Sequence, residues 1–205
     1  MSDKGSMIPI SDEQAKLGQE IIKALGGVAV FVKEALGSTP QDLIGYLGGD
    51  WLRVRRAENI AKIMTRSKEK LEARGVKDHA PASLTVALPI LRGAANESRE
   101  ALQDLWAGLL AAAIDPSRSN GVRQSFAEAI SKMEPPDALV LSHFKKLSGS
   151  TANYNQIAGY ISISPDVADI SMGNLAKLGL LAFQPGIAGA YLTSFGREFL
   201  RIVTD

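Results

Sequence analysis

His79 and His143 are the only side chains in this sequence that gain and lose a proton near neutrality without help from their surroundings. His79 stands in the polar stretch "VKDHAPAS", and His143 precedes Phe144 on a helix with an apolar face. Nothing in their spacing pairs them with a nucleophile or a carboxylate, so each reads as a surface or satisfied histidine. Glu97, Glu100 and Asp104 fall on one face of a helix by spacing. Acids suit the first turns of a helix, where the dipole is positive, so capping and solvation account for all three. The absence of cysteine removes disulfides, thiolate metal ligands and cysteine nucleophiles together. Gly26-Gly27 and Gly48-Gly49 lack the Lys-Ser/Thr partner of a phosphate loop, and there is no nucleophile elbow or zinc spacing. The expectation is a chain with no catalytic residue, no cofactor and no metal: not an enzyme.

Charge offers a second kind of chemistry. From Trp51 to Lys77 there are nine basic residues against Glu58, Glu69 and Glu72. Arg53, Arg55, Arg56 and Arg66 are the candidates for holding a polyanion, either a phosphate backbone or an anionic lipid surface. The competing reading, a long solvated helix with its cations toward the C-terminal end, is favoured. Trp51 beside Arg53 and Arg55 keeps the polyanion reading in play.

The stretch "LGLLAFQPGIAGAYLTSFGREFL", Leu178 to Leu200, has the form of the back half of a winged helix: two short apolar runs about a Pro-Gly turn, then Thr193 opening a helix. The helix before it, "PDVADISMGNLAKLGLL", would be the one that reads DNA. It carries Asp166 and Asp169 at the end that would meet phosphate, and Lys177 only at the far end. The turn "QPGIAG" has no cation. From Pro136 to Asp205 five basic residues face five acids, a poor balance for counterion-release binding. Specific DNA binding is therefore disfavoured. Asp166, Asp169 and Ile187 are candidates for contact with a protein instead.

These residues must be held by elements the periodicity supplies. Leu17, Ile21, Leu25, Val28, Val32 and Leu36 recur at helical period after a cap at Ser11. Gly26-Gly27 interrupts them, at roughly 1 kcal/mol per glycine, which predicts a kink or a close helix contact. "QDLIGYLGGD" is a short helical turn. A helix from Asp50 to Arg74 follows, with a narrow seam of Ala57, Ile60, Ala61, Met64, Ser67 and Leu71 that needs a partner, in this chain or in a second copy. Helices at Leu84–Ala95 and Glu97–Ile114 come next. The second is the strongest in the chain, with Leu102, Leu105, Trp106, Leu109, Leu110 and Ala113 on its stripe, so Trp106 should be buried. A helix carrying Phe126, Ile130 and Met133 closes the first part. Beyond it lie helices at Asp137–Leu147, Tyr154–Ser162 and Asp166–Leu178, a hairpin and a last helix. The fold class is mainly α: a helical N-terminal body over residues 1–134, then a winged-helix-like module with a short β-hairpin over 135–205.

With 205 residues, 45% hydrophobic and 22% charged, the chain can bury a real core. A net charge of +1 gives no global attraction to nucleic acid or membrane. The start, "MSDKGSMIPISDEQ", lacks the basic and apolar regions of a secretory signal, and "ALGGVAVFV" is too short to span a bilayer as a helix. A cytoplasmic protein is expected.

Several segments in order resemble the abortive infection alpha family, a bacterial group associated with phage defence. "LIGYLGGDWLRVRRAENIAKI" is similar to its glycine turn and basic helix. "LTVALPILRGAANESREALQDLWAGLLAAAIDP" resembles its most recognisable block, with Leu-x-x-x-Trp-Ala-x-Leu-Leu ending in Asp-Pro. "SFAEAISKMEPPDALVL" and "AYLTSFGREFL" resemble its later segments. The resemblance runs from about Leu17 to the C-terminus. It implies a role in abortive infection and brings no catalytic residues with it. Together with the residues, it leads to the expectation of a non-enzymatic defence protein acting through an unidentified protein partner, with a phage protein among the candidates, and, separately, of a homo-oligomer formed through helices of the N-terminal body. The alternatives are a winged-helix DNA-binding regulator and an effector at a membrane surface that uses the amphipathic and basic N-terminal helices.

Overall fold

The computed structural model describes residues 12–37, 52–147, 151–183, 185–186 and 189–204. Among these are ten α-helices and one two-stranded antiparallel sheet. The predicted helical turn "QDLIGYLGGD" and the Ser11 and Asp50 caps lie outside the described residues.

The N-terminal part comprises α1 (Asp12–Gly26), α2 (Ala29–Leu36), α3 (Arg53–Ala73), α4 (Leu84–Asn96), α5 (Glu100–Ile114) and α6 (Gln124–Ser131), with a 3₁₀ turn at Ser119–Gly121. The expected interruption at Gly26-Gly27 is a full break between α1 and α2, and a Cβ at either glycine would meet nothing within 4 Å. It is a bend in the chain and not a close helix contact.

The strong apolar period of α5 puts it at the centre. Every residue from Leu105 to Ile114 is buried, and α3, α4, α6, α7 (Pro135–Lys146) and α10 (Ser194–Thr204) pack around it. A helix apolar on all sides needs neighbours on all sides. Trp106 is 1% exposed, as its stripe predicts, and its ring lies where a Cβ on Gly93 of α4 would fall. At Gly108 the backbone of α10 comes so near that a Cβ would sit 1.7 Å from the Val203 carbonyl oxygen. Glycine is required there by space, not by backbone conformation.

The seam of α3 finds its partner within the chain. Ala57, Ile60, Met64 and Leu71 are buried, and α3 packs on α1, α4 and α5. Ser67, also buried, donates its hydroxyl to the Ile63 carbonyl at 2.7 Å and lies 3.0 Å from that of Ala107.

The C-terminal part runs α7, α8 (Tyr154–Ile161), α9 (Pro165–Lys177), β1 (Leu181–Phe183), β2 (Ala190–Leu192), α10. Local signals fix each start. Pro135 and Pro136 occupy the first turn of α7, where a missing N–H costs nothing. Asn153 and Gln156 form a reciprocal cap on α8, Ser164 accepts from the Val167 N–H at the head of α9, and Thr193 accepts from the Gly196 N–H at α10. The strands pair Leu181 with Leu192, Ala182 with Tyr191 and Phe183 with Ala190, and Ala152 bridges to Ala190 from outside the hairpin. Buried residues from Ile21 to Val203 form one continuous core.

Candidate functional site

The basic helix α3 lies against the acids of α5. Arg66 donates to the Glu100 carboxylate at 3.3 Å and to its backbone carbonyl at 3.1 Å, and Lys70 reaches Asp104 at 3.0 Å. One turn further, Arg74 stands 3.7 Å from the buried Asp115. Lys68 pairs with Glu72 along the helix. Glu100 and Asp104 are therefore not merely capping or solvated acids. Arg66 and Lys70, four residues apart on α3, thus face Glu100 and Asp104, four residues apart on the packed helix α5. Arg66, offered by the sequence as a polyanion ligand, is committed to this zipper.

At the other end of α3, Arg56 donates from Nε to Asn96 Oδ1 at 3.1 Å, Arg53 is half-buried and Arg55 is exposed. A cavity of about 380 Å³ opens here, lined among the described residues by Arg55, Arg56, Asn59, Asn96 and Ser98. Trp51 lies outside the described residues.

The residues ahead of α5, expected to be helical from Glu97, are extended. Glu97 ends α4 in a β conformation and turns its carboxylate back onto Arg99. Glu97 Oε1 accepts from the Arg99 backbone N–H and Nε (2.8 and 2.9 Å), and Oε2 accepts from Nη2 (2.9 Å). Burial pushes the Glu97 carboxyl upward, but these hydrogen bonds and the guanidinium charge outweigh it and hold the group below its ordinary range. Hydrogen bonding to Glu97 raises Arg99 in turn. The same guanidinium donates to Glu134, the cap of α7, whose own backbone N–H donates to the buried Asp137. Asp137 also accepts from Asn174 of α9 at 2.6 Å. A single polar chain thus runs from the start of α5 through the first turn of α7 to α9, fixing the angle at which α9 is presented.

α9 faces two ways. Ala168, Ser171, Met172 and Leu175 are buried, while Asp166, Asp169, Ile170 and Lys177 are exposed. Asp166, Asp169 and Lys177 have no ion-pair partner among the described residues. Ile170 is 71% exposed, and on α8 Tyr160 is 70% exposed with His143 stacked on its ring. A groove of about 690 Å³ runs along α9 between Lys132 and Pro136 on one side and Val167, Ile170 and Lys177 on the other. Ile187 lies outside the described residues. Asp166 and Asp169 are legible in the sequence as exposed acids; the signal for Ile170 is its helical spacing from Ala168 and Met172, which places it on the opposite face.

The two histidines are not brought together. His79 meets Phe31 edge-on and Glu34 at 3.5 Å, whereas His143 sits on α7. Among the described residues no three side chains are grouped to hold a metal, and no helix is long and apolar enough to cross a membrane.

A family model described as abortive infection alpha matches residues 55–203. Nothing matches among curated proteins or solved structures.

Proposed function

The chain belongs to the abortive infection alpha family, and from that membership we propose that it serves in phage defence by binding a protein, without catalysing a reaction. The observation that carries this reading is the outward face of α9: two acids and a large exposed apolar side chain, none of them engaged within the described residues. An isoleucine left in water beside unpaired carboxylates suits a partner that is itself a protein.

The order α7, α8, α9, hairpin, α10 is read as a winged helix, and the bridge from Ala152 to Ala190 supports it. In that reading α9 stands where a DNA reader would have its recognition helix. Asp166 and Asp169 at its leading end would repel the phosphates that such a helix must approach. A cytoplasmic site of action accords with this.

A second reading rests on Arg55, exposed at the head of α3 beside a cavity that Asn59, Asn96 and Ser98 also line, which suits an anion such as a phosphate of nucleic acid or lipid. Plating phage on cells that express the chain tests the first reading. Plaque number should fall, with infected cells dying before they release progeny. Purified protein should bind neither duplex DNA nor anionic vesicles near physiological salt. Submicromolar duplex binding that weakens steeply with salt would overturn the protein-contact reading, since such a slope counts phosphate contacts.

A further inference from the structure

We propose that the outward stripe of α9 is self-complementary: two copies of the chain pair antiparallel across it, about a two-fold axis. This rests on the reading of α9 as a protein-contact face and names its partner. The stripe is Asp166, Ile170, Gly173 and Lys177, spaced i, i+4, i+7, i+11, the spacing that keeps residues on one side of a helix. It lies opposite the buried Ala168, Ser171, Met172 and Leu175.

The order of the four residues selects the geometry. Asp166 and Lys177 lie equally far on either side of the midpoint between Ile170 and Gly173. An antiparallel copy therefore sets Asp166 against the partner's Lys177, and Lys177 against the partner's Asp166. A parallel copy would set acid on acid and cation on cation. At the centre each exposed Ile170 falls over the partner's Gly173. A Cβ built on Gly173 meets nothing within 4 Å, so the space above it is open and the two backbones can approach closely. The contact is isologous, each patch meeting its own copy. It also provides for self-association where α3 does not, because the seam of α3 is filled by α1, α4 and α5. The 13 residues of α9 give a short contact. Stable interfaces bury roughly 1,000 Å² or more, so a contact of this length is expected to be weak and reversible.

Sedimentation of the full chain from about 5 to about 500 µM at low salt reads this directly. The wild-type chain should pass from monomer toward dimer across the range. Asp166→Lys and Lys177→Asp should each remain monomeric, because each puts like charges together twice. Their equimolar mixture should dimerise again, since both cross-copy pairs are then opposite in sign, and the double variant should recover self-association alone. Ile170→Asp should be monomeric, and thermal melts of all variants should stay near wild type. A wild-type monomer throughout, single variants that dimerise unchanged, or a mixture that stays monomeric would each overturn the pairing. Phage protection separates this outcome from the underlying reading. Protection lost in Ile170→Asp of a strictly monomeric protein retires the pairing and keeps α9 as the contact face. Protection kept when a real dimer is broken retires the face as the working surface.

Discussion

Helix α3 carries most of the charge that draws attention in this sequence, and α9 carries little. The structure reverses their standing. Along the C-terminal half of α3, Arg66, Lys70 and Arg74 have carboxylates within 4 Å on α5 or just after it, and Lys68 has one on α3 itself. The three charges on the outer side of α9 have none among the described residues. A run of charge reports on function only after internal pairs are subtracted; on α3, among the described residues, Lys62 and Arg55 remain, the latter at the arginine corner where the helix begins. A lone isoleucine in water among charges with no internal partner is the stronger signal of a partner.

The contrast between a filled interior and an open face can be broken most severely at the tryptophan. Trp106→Ala should cost about 3–5 kcal/mol and abolish soluble expression or lower the melting temperature sharply. Ile170→Ala on α9 should leave the melt within about 0.5 kcal/mol of wild type. A Trp106 that iodide quenches freely in the native chain would contradict the packing.

The same substitution at two helical glycines sharpens the contrast. Gly108→Ala forces a methyl into the Val203 carbonyl, so α10 must lift from α5, and denaturant unfolding should show a loss of about 2 kcal/mol or more. Gly173→Ala enters open space and should gain up to about 1 kcal/mol through helix propensity. Equal effects at both positions would mean α9 is not open.

A smaller effect lies in the joint between the two parts. The Glu97 carboxyl is held below its ordinary value of 4.5 in the folded chain, so it binds its proton more weakly folded than unfolded. Its contribution is fully present above pH 4.5 and is lost as pH falls through the lower folded value. Glu97→Gln should therefore melt below wild type at neutral pH, by about 1.5–3 kcal/mol for hydrogen bonds to a charged group. The gap should close as the pH drops below 4.5. A gap independent of pH would assign the loss to packing.

The smallest effect is expected in the zipper. Arg66→Ala and Lys70→Ala should each cost at most about 1 kcal/mol by chemical denaturation, because Glu100 and Asp104 are largely exposed and solvent screens the pairs.

Much of this architecture was legible from period and punctuation alone. The stripe of α5, the buried Trp106, the proline start of α7 and the sequence of three helices, hairpin and helix all follow from residues a few positions apart. What the sequence withheld is long-range. Nothing near Glu100 or Asp104 announces that Arg66 and Lys70, over thirty positions away, will answer them. Glu97 sits at helical spacing, yet folds back on Arg99 because a buried carboxylate needs donors more than it needs a further turn of helix. Of the contact face, Asp166 and Asp169 were readable as acids in the wrong place for DNA. Ile170 was missed because an isoleucine on an amphipathic helix is normally counted toward the core.

The central claim is that defence works through α9 and not through the basic helix, and side-by-side plating of two variants tests it most directly. One carries Ile170→Asp with Asp169→Lys; the other carries Arg55→Glu with Lys62→Glu, both exposed positions on α3. At matched soluble expression, the α9 variant should let plaque numbers return to those on cells lacking the protein, while the α3 variant protects as wild type does. Protection retained by the α9 variant and lost by the α3 variant would contradict the account and move the working surface to the arginine corner.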